Sequence, residues 1–220
     1  MNEERIEALF DVVRAGDEHT ALMVLDEDPS LIDSYVGGVS PIRAAIYGGN
    51  NDLAQKLAER ATMLTIHDAA ALGRADQIKH LEGEANEISA DGFTPLTLAA
   101  AFGNVETVSA LLLLGADTQL FSTNENIKVA PIHAAAFGMN ASAIQALIDA
   151  GADPNLVAEG GFTALHSAAQ NGDEASVSVL LRAGANKSMR TDEGKLAADY
   201  ARDEHHNDLA ELLIPDNEAP

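Results

Sequence analysis

The chain has 220 residues, 46% of them apolar and 22% charged, so it can bury a core and does not read as disordered. Its 13 Lys and Arg stand against 35 Asp and Glu, a net charge of −22, which excludes the basic patch that nucleic acid or an anionic membrane surface requires. There is no Cys and no apolar run near the length of a membrane span, which excludes disulfides, thiolate zinc sites, cysteine nucleophiles and a spanning helix.

The acidic segment from Met1 to Phe10 lacks the basic, apolar and small-residue succession of a secretory leader, so a cytoplasmic protein is expected. A leader removed upstream would leave the same residues, and a periplasmic or secreted location stays open. From here one pattern recurs along the chain. A faint copy, Leu9-Phe10-Asp11-Val12-Val13-Arg14-Ala15-Gly16-Asp17, is followed by Ser40-Pro41-Ile42-Arg43-Ala44-Ala45 and by a second faint one, Leu64-Thr65-Ile66-His67-Asp68-Ala69-Ala70. With the Ser40 copy, the strong copies are Thr94-Pro95-Leu96-Thr97-Leu98-Ala99-Ala100, Ala130-Pro131-Ile132-His133-Ala134-Ala135-Ala136 and Thr163-Ala164-Leu165-His166-Ser167-Ala168-Ala169. Gly194-Lys195-Leu196-Ala197-Ala198-Asp199-Tyr200-Ala201 is the last. With the slot of Thr94 as origin the copies begin at 7, 40, 64, 94, 130, 163 and 196, spaced by 33, 24, 30, 36, 33 and 33 residues.

The chemistry of one copy predicts a pair of helices. Ser or Thr is an N-cap, and Pro directly after it suits a first helical position that needs no donor. A glycine such as Gly103 or Gly172 breaks the first helix, and apolar residues at helical spacing (Val105, Val108, Leu111, Leu112) build a second. Gly115, Gly151 and Gly184 supply the left-handed stop, and Asp91-Gly92, Gly160-Gly161 and Asp192-Glu193-Gly194 turn the chain into the next copy.

A 33-residue period carrying T-P-L-H-x-A resembles the ankyrin repeat. The resemblance covers residues 3 to 214 and is strongest from 91 to 200. The whole chain is similar to the small stand-alone bacterial members of that family. It implies an all-α fold, an ankyrin-repeat solenoid of about seven helix pairs with short β-hairpin fingers. One domain, 1–214, is expected, with repeats near 3–32, 33–61, 62–90, 91–120, 121–156, 157–188 and 189–214 and a flexible tail at 215–220. The short spacing after the second copy predicts that Glu59-Arg60-Ala61-Thr62 turns into the next helix without a finger. The long one predicts an extended finger at Leu120–Val129. Met139 stands in a glycine slot, which puts the usual turn there in question.

No nucleophile elbow, phosphate loop or catalytic carboxylate pair stands out, so the chain is expected not to be an enzyme, with no cofactor and no metal site. His67, His133 and His166 fall in one repeat slot, shared with Arg43, Thr97 and Asp199, where the family implies hydrogen bonding between repeats. His205 and His206 are neighbours on a helix and point apart. The nine aromatic residues are more telling. On the repeat geometry Phe93 and Phe162 precede N-caps, Tyr47, Phe102 and Phe137 end first helices, and Phe121 starts the long finger. These six fall on the concave surface that the family uses for partners, and Leu72, Val129, Gln170, Asn171 and Met189 extend it. Packing between repeats accounts for the same rings, and both readings stand. Asp91, Glu125, Glu159, Asp192 and Glu193 are expected as a negative rim that steers a cationic partner.

The function expected is protein binding through the concave groove and finger tips, by a monomer, to a basic or amphipathic protein, with no nucleic acid and no membrane. Two alternatives of other classes stand beside it: a dedicated inhibitor or immunity-type protein neutralising a cationic enzyme or toxin, and a structural role with no specific partner.

Overall fold

The computed structural model of the chain describes residues 2–81, 83–124 and 127–215. Among these, fourteen α-helices follow one another in seven pairs: α1 (Asn2–Arg14) and α2 (Glu18–Glu27), α3 (Pro41–Tyr47) and α4 (Asn51–Ala58), α5 (Ile66–Leu72) and α6 (Ala75–Ile78), α7 (Pro95–Phe102) and α8 (Val105–Leu113), α9 (Pro131–Phe137) and α10 (Ala141–Asp149), α11 (Ala164–Gln170) and α12 (Glu174–Arg182), α13 (Ala197–Asp203) and α14 (Asn207–Leu212). The fold is the all-α solenoid that the repeats imply. The first helix of each pair packs on the first helix of the next, in an inner row from α1 to α13, and α6, α8, α10 and α12 form an outer row behind it. One apolar core runs from Leu9 to Leu213 between the rows. The Ala-Ala pairs of the inner helices are buried in it, which small side chains permit at close helix spacing.

Caps decide where the inner helices start. The hydroxyls of Ser40, Thr65 and Thr94 accept the backbone N–H groups of Arg43, Asp68 and Thr97, each at 3.1 Å. Ala130 has no such oxygen. There Pro131 removes one donor, and His133 Nδ1 accepts the Ala130 N–H at 3.3 Å. His166 does the same for Thr163 at 3.1 Å, and Asp199 Oδ2 for Leu196 at 2.9 Å. The third helical position is therefore a reciprocal cap, which is why acceptors recur in it.

Several expectations are corrected. The third copy is capped by Thr65, so Asp68, not His67, occupies the slot of Thr97, His133 and His166. Glu7 opens no helix: α1 already runs from residue 2, and this residue lies inside it. The fingers are not β-hairpins: no strand occurs among the described residues, only isolated bridges between Val36 and Val39 and between Arg190 and Leu196. The long finger, of which residues 125 and 126 lie outside the described ones, is closed by the Ser122 N–H donating to the Val129 carbonyl at 2.9 Å. Met139 does not disturb its turn but adopts φ +53°, in the left-handed region its glycine counterparts favour. The tail expected at 215–220 lies outside the described residues apart from Pro215, which is buried.

Between α4 and α5 the chain crosses in seven residues without a finger. The finger that precedes α3 consequently meets the one that precedes α7. Gly38 lies so close to it that a Cβ there would be 2.6 Å from the Ala90 Cβ and 2.7 Å from the Asp91 nitrogen.

Candidate functional site

The inner face carries an apolar groove of about 650 Å³, lined by α7, α9, the start of α11, the end of α3 and the fingers before α9 and α11. Its rings stand at element boundaries. Tyr47, Phe102 and Phe137 are the last residues of α3, α7 and α9, where a first helix runs out towards the groove. α7 is one residue longer than α9, so Phe102 stands about 100° further round its helix than Phe137 does on its own. There it meets Tyr47 at a ring-centroid distance of 5.7 Å, and Tyr47 also meets Phe93 edge-on at 6.4 Å. Phe162 and Val129 complete the far side, over a floor of Leu98, Ala101 and Ala134. Phe137 is 71% exposed, and Phe102 and Tyr47 are 43% and 39% exposed. Phe137 at least gives up most of the burial energy available to it.

A buried charge network anchors one wall. Tyr47 donates its hydroxyl to Asp91 Oδ2 at 2.9 Å, and Arg43 donates to Asp91 Oδ1 at 2.6 Å. Arg43 also donates to the Gly38 carbonyl at 2.6 Å, and its Nε to Asp68 Oδ1 at 3.2 Å; Ser40 donates to the same oxygen at 2.6 Å. Burial first, then the Asp91 carboxylate, push the Tyr47 phenol far above its ordinary pKa, so it remains a donor. Beneath the groove His133 is buried at 3% exposure. With Nδ1 accepting from Ala130, its Nε2 carries the proton and donates to the Leu156 carbonyl at 2.9 Å. Burial holds this imidazole below its ordinary pKa, against the pull of the Leu156 bond.

Of the residues singled out in the sequence, Tyr47, Phe93, Phe102, Val129, Phe137, Phe162 and Glu159 line the groove. The others do not. Asp91 is no rim charge: its side chain is 7% exposed and committed to Arg43, because the missing finger lets that guanidinium reach across to it. Phe121 lies tilted against His133 with ring centroids 6.1 Å apart, Leu72 packs partly into the core, and Met189 is partly buried. Asn171 ties repeats together, donating to the Ala136 and Phe137 carbonyls at 3.3 and 3.2 Å. Gln170, Asp192 and Glu193 are exposed away from the groove, and Glu125 lies outside the described residues. Sequence reasoning missed Ile127, Lys128 and Ser167 on the lining. Lys128 had a signal, since it is the one basic residue between His80 and Leu181.

Among the described residues no group of three or more His, Asp or Glu is arranged to hold a metal ion, and no helix is long and apolar enough to cross a membrane.

Comparison with known proteins agrees with this geometry. A family model described as ankyrin repeats in three copies matches residues 66–156 and 131–219. Cyclin-dependent kinase 4 inhibitor B of Mus musculus is 35% identical over 119 residues, 54% of this chain and 88% of that protein. Cyclin-dependent kinase inhibitor 2A of Homo sapiens is 36% identical over 132 residues, 60% of this chain and 80% of that one. The DNA-binding protein RFXANK of Homo sapiens is 46% identical over 63 residues, but these span only 27% of this chain and 24% of its own. With the matched model extending over more than half of its length, the chain belongs to the ankyrin-repeat family.

Proposed function

We propose that the chain is a non-catalytic binding protein, one continuous array over residues 1–214, and that its partner protein docks in the inner groove. The observation that carries this reading is the set of solvent-facing rings, with Phe137 71% exposed beside Phe102 and Tyr47 on a preformed apolar groove. Exposed apolar patches on this scale mark interaction sites, and aromatic anchors carry much of the energy when they fill. A rigid array binds with little ordering cost. The proposal includes a monomer acting in the cytoplasm.

An inhibitory role is a second reading, favoured by the net charge of −22, which speeds encounter with a cationic enzyme. Two of the relatives are named as kinase inhibitors, which supports inhibition as a use of such an array.

Affinity capture with the purified chain tests the groove. A partner held by the wild type should be lost, with affinity falling about tenfold or more, from a Phe102→Ala/Phe137→Ala variant. It should be retained by Leu113→Ala, which truncates an 87% exposed side chain on the outer row. Equal loss from both variants, or from neither, would remove the groove as the docking site.

A further inference from the structure

The groove is not framed by acids alone, and the charges that remain on it are few. Asp91 is paired inside the wall with Arg43, which it shares with Asp68, and His133 is held neutral by burial. Two exposed charged side chains are left on the described lining: Lys128 on the finger before α9 and Glu159 on the finger before α11. They stand on neighbouring fingers, and neither makes a hydrogen bond or an ion pair among the described residues. Lys128 is notable because the chain carries 35 acids to 13 bases, and most of the other cations, such as Arg5, Lys56, Arg60, Lys195 and Arg202, have a carboxylate in reach. Resting on the groove reading above, we propose that the occupant is a mainly apolar polypeptide segment with an acidic residue facing Lys128 and, one repeat further along, a basic residue facing Glu159.

Three features argue for that occupant. The charges lie in the direction of the row, one repeat apart, so they distinguish the two ends of a segment lying along the groove. Around them the lining is apolar, with Phe93, Leu98 and Phe102 on the α7 side of Lys128 and Val129, Ala134, Phe137 and Phe162 from there on, which asks for aliphatic or aromatic side chains. Its span over α7, α9 and α11 is about 16–20 Å at ordinary helix spacing, the reach of about five or six extended residues. Each charge also penalises the reversed orientation, since a like charge brought against it costs more than an exposed ion pair gains. The net charge of −22 then favours segments with further basic residues beyond the acid–base pair. Lys128 and Glu159 thus act as specificity determinants, while the rings supply the affinity.

The test is selection from a displayed library of random twelve-residue peptides on four immobilised, full-length proteins: wild type, Lys128→Glu, Glu159→Lys and Phe137→Ala/Phe162→Ala. Circular dichroism confirms that each is folded. Peptides enriched on the wild type should carry an apolar run that includes an acid and a base about three residues apart. On Lys128→Glu the acid should give way to a base, and wild-type peptides should bind about fivefold more weakly. On Glu159→Lys the base should give way to an acid. The same charge pattern on all three would overturn the assignment of Lys128 and Glu159 but leave the groove standing. Undiminished recovery on the Phe137→Ala/Phe162→Ala protein would place the peptides elsewhere and overturn the groove reading itself. Failure to enrich any apolar segment on the wild type would overturn both.

Discussion

Arg43 and Asp68 hold the same helical position in consecutive repeats, and they are paired: Nε of the one lies 3.2 Å from Oδ1 of the other, with side chains 2% and 4% exposed. In the next three repeats the position is taken by neutral Thr97, His133 and His166, and the two histidines accept the backbone N–H at the start of their own helices, as Asp199 does in the last repeat. The substitution coincides with the missing finger. With no turn projecting between α4 and α5, Arg43 reaches both Asp68 and, from the next finger along, Asp91. A buried ionic clasp thereby spans a gap that elsewhere finger-to-finger bonds close, as when Thr123 donates its backbone N–H to the Gly92 carbonyl at 2.8 Å.

The clasp has to hold a weak seam, since α3 and α5 share the sparsest contact of any two neighbouring inner helices. Arg43→Ala leaves two carboxylates buried without their cation, a loss of about 3–5 kcal/mol for the repeats it joins. In a linear array that loss stays local. Hydrogen exchange followed by mass spectrometry should show α1 to α4 opening before α7 to α12 in the wild type, and earlier still in Arg43→Ala. Protection in α9 to α12 should be unchanged. Uniform loss of protection along the variant would mean that the seam is not where the array parts.

The turn at Met139 makes a different kind of prediction. Two demands meet there: Gly138 must lack a side chain, because a Cβ would lie 2.3 Å from the Ala101 carbonyl oxygen, and the next residue must take a positive φ. The second repeat satisfies both with Gly48 and Gly49; this one satisfies only the first. Met139→Gly should relieve the strain and stabilise the chain by about 0.5–1 kcal/mol, net of the glycine's entropy in the unfolded state. Gly138→Ala should destabilise it. Urea unfolding of both variants checks the pair, and an unchanged midpoint for Met139→Gly would rule out strain at this turn.

These sites show what the residues disclosed and what they did not. The repeat period, the caps at Ser40 and Thr94 and the boundary rings Tyr47, Phe102 and Phe137 follow from local chemistry, so they could be read directly. Asp91 could not. Its burial depends on Arg43, 48 residues away, and on a finger whose absence was legible although its consequence was not. The register of the third repeat was misjudged by one residue because Leu64-Thr65 offers one hydroxyl to two candidate starts, and the hydroxyl decides. Lys128 was not assigned to the site because a lone cation in an acidic stretch looks like noise until the groove takes both it and Phe137 into its lining.

Acid should weaken the array through His133 and His166. Burial holds both imidazoles below the usual value of 6.5, whereas the unfolded chain restores it. Below that pH the unfolded state binds more protons than the folded one, so the contribution of the neutral rings is complete above pH 6.5 and is lost as the pH falls towards the folded values. The charge of −22 acts oppositely, because protonating surface carboxylates relieves repulsion. A variant isolates the two rings: His133→Thr/His166→Thr puts in the residue that Thr97 already supplies at the same position, and it cannot titrate. Near neutral pH the wild type should be the more stable, since Thr cannot bond the Leu156 carbonyl as His133 does. Urea titrations at about pH 7.5, 6.5 and 5.5 should find that advantage shrinking step by step. An advantage that stays constant over this range would mean that the imidazoles do not lose their neutral, capping form on acidification.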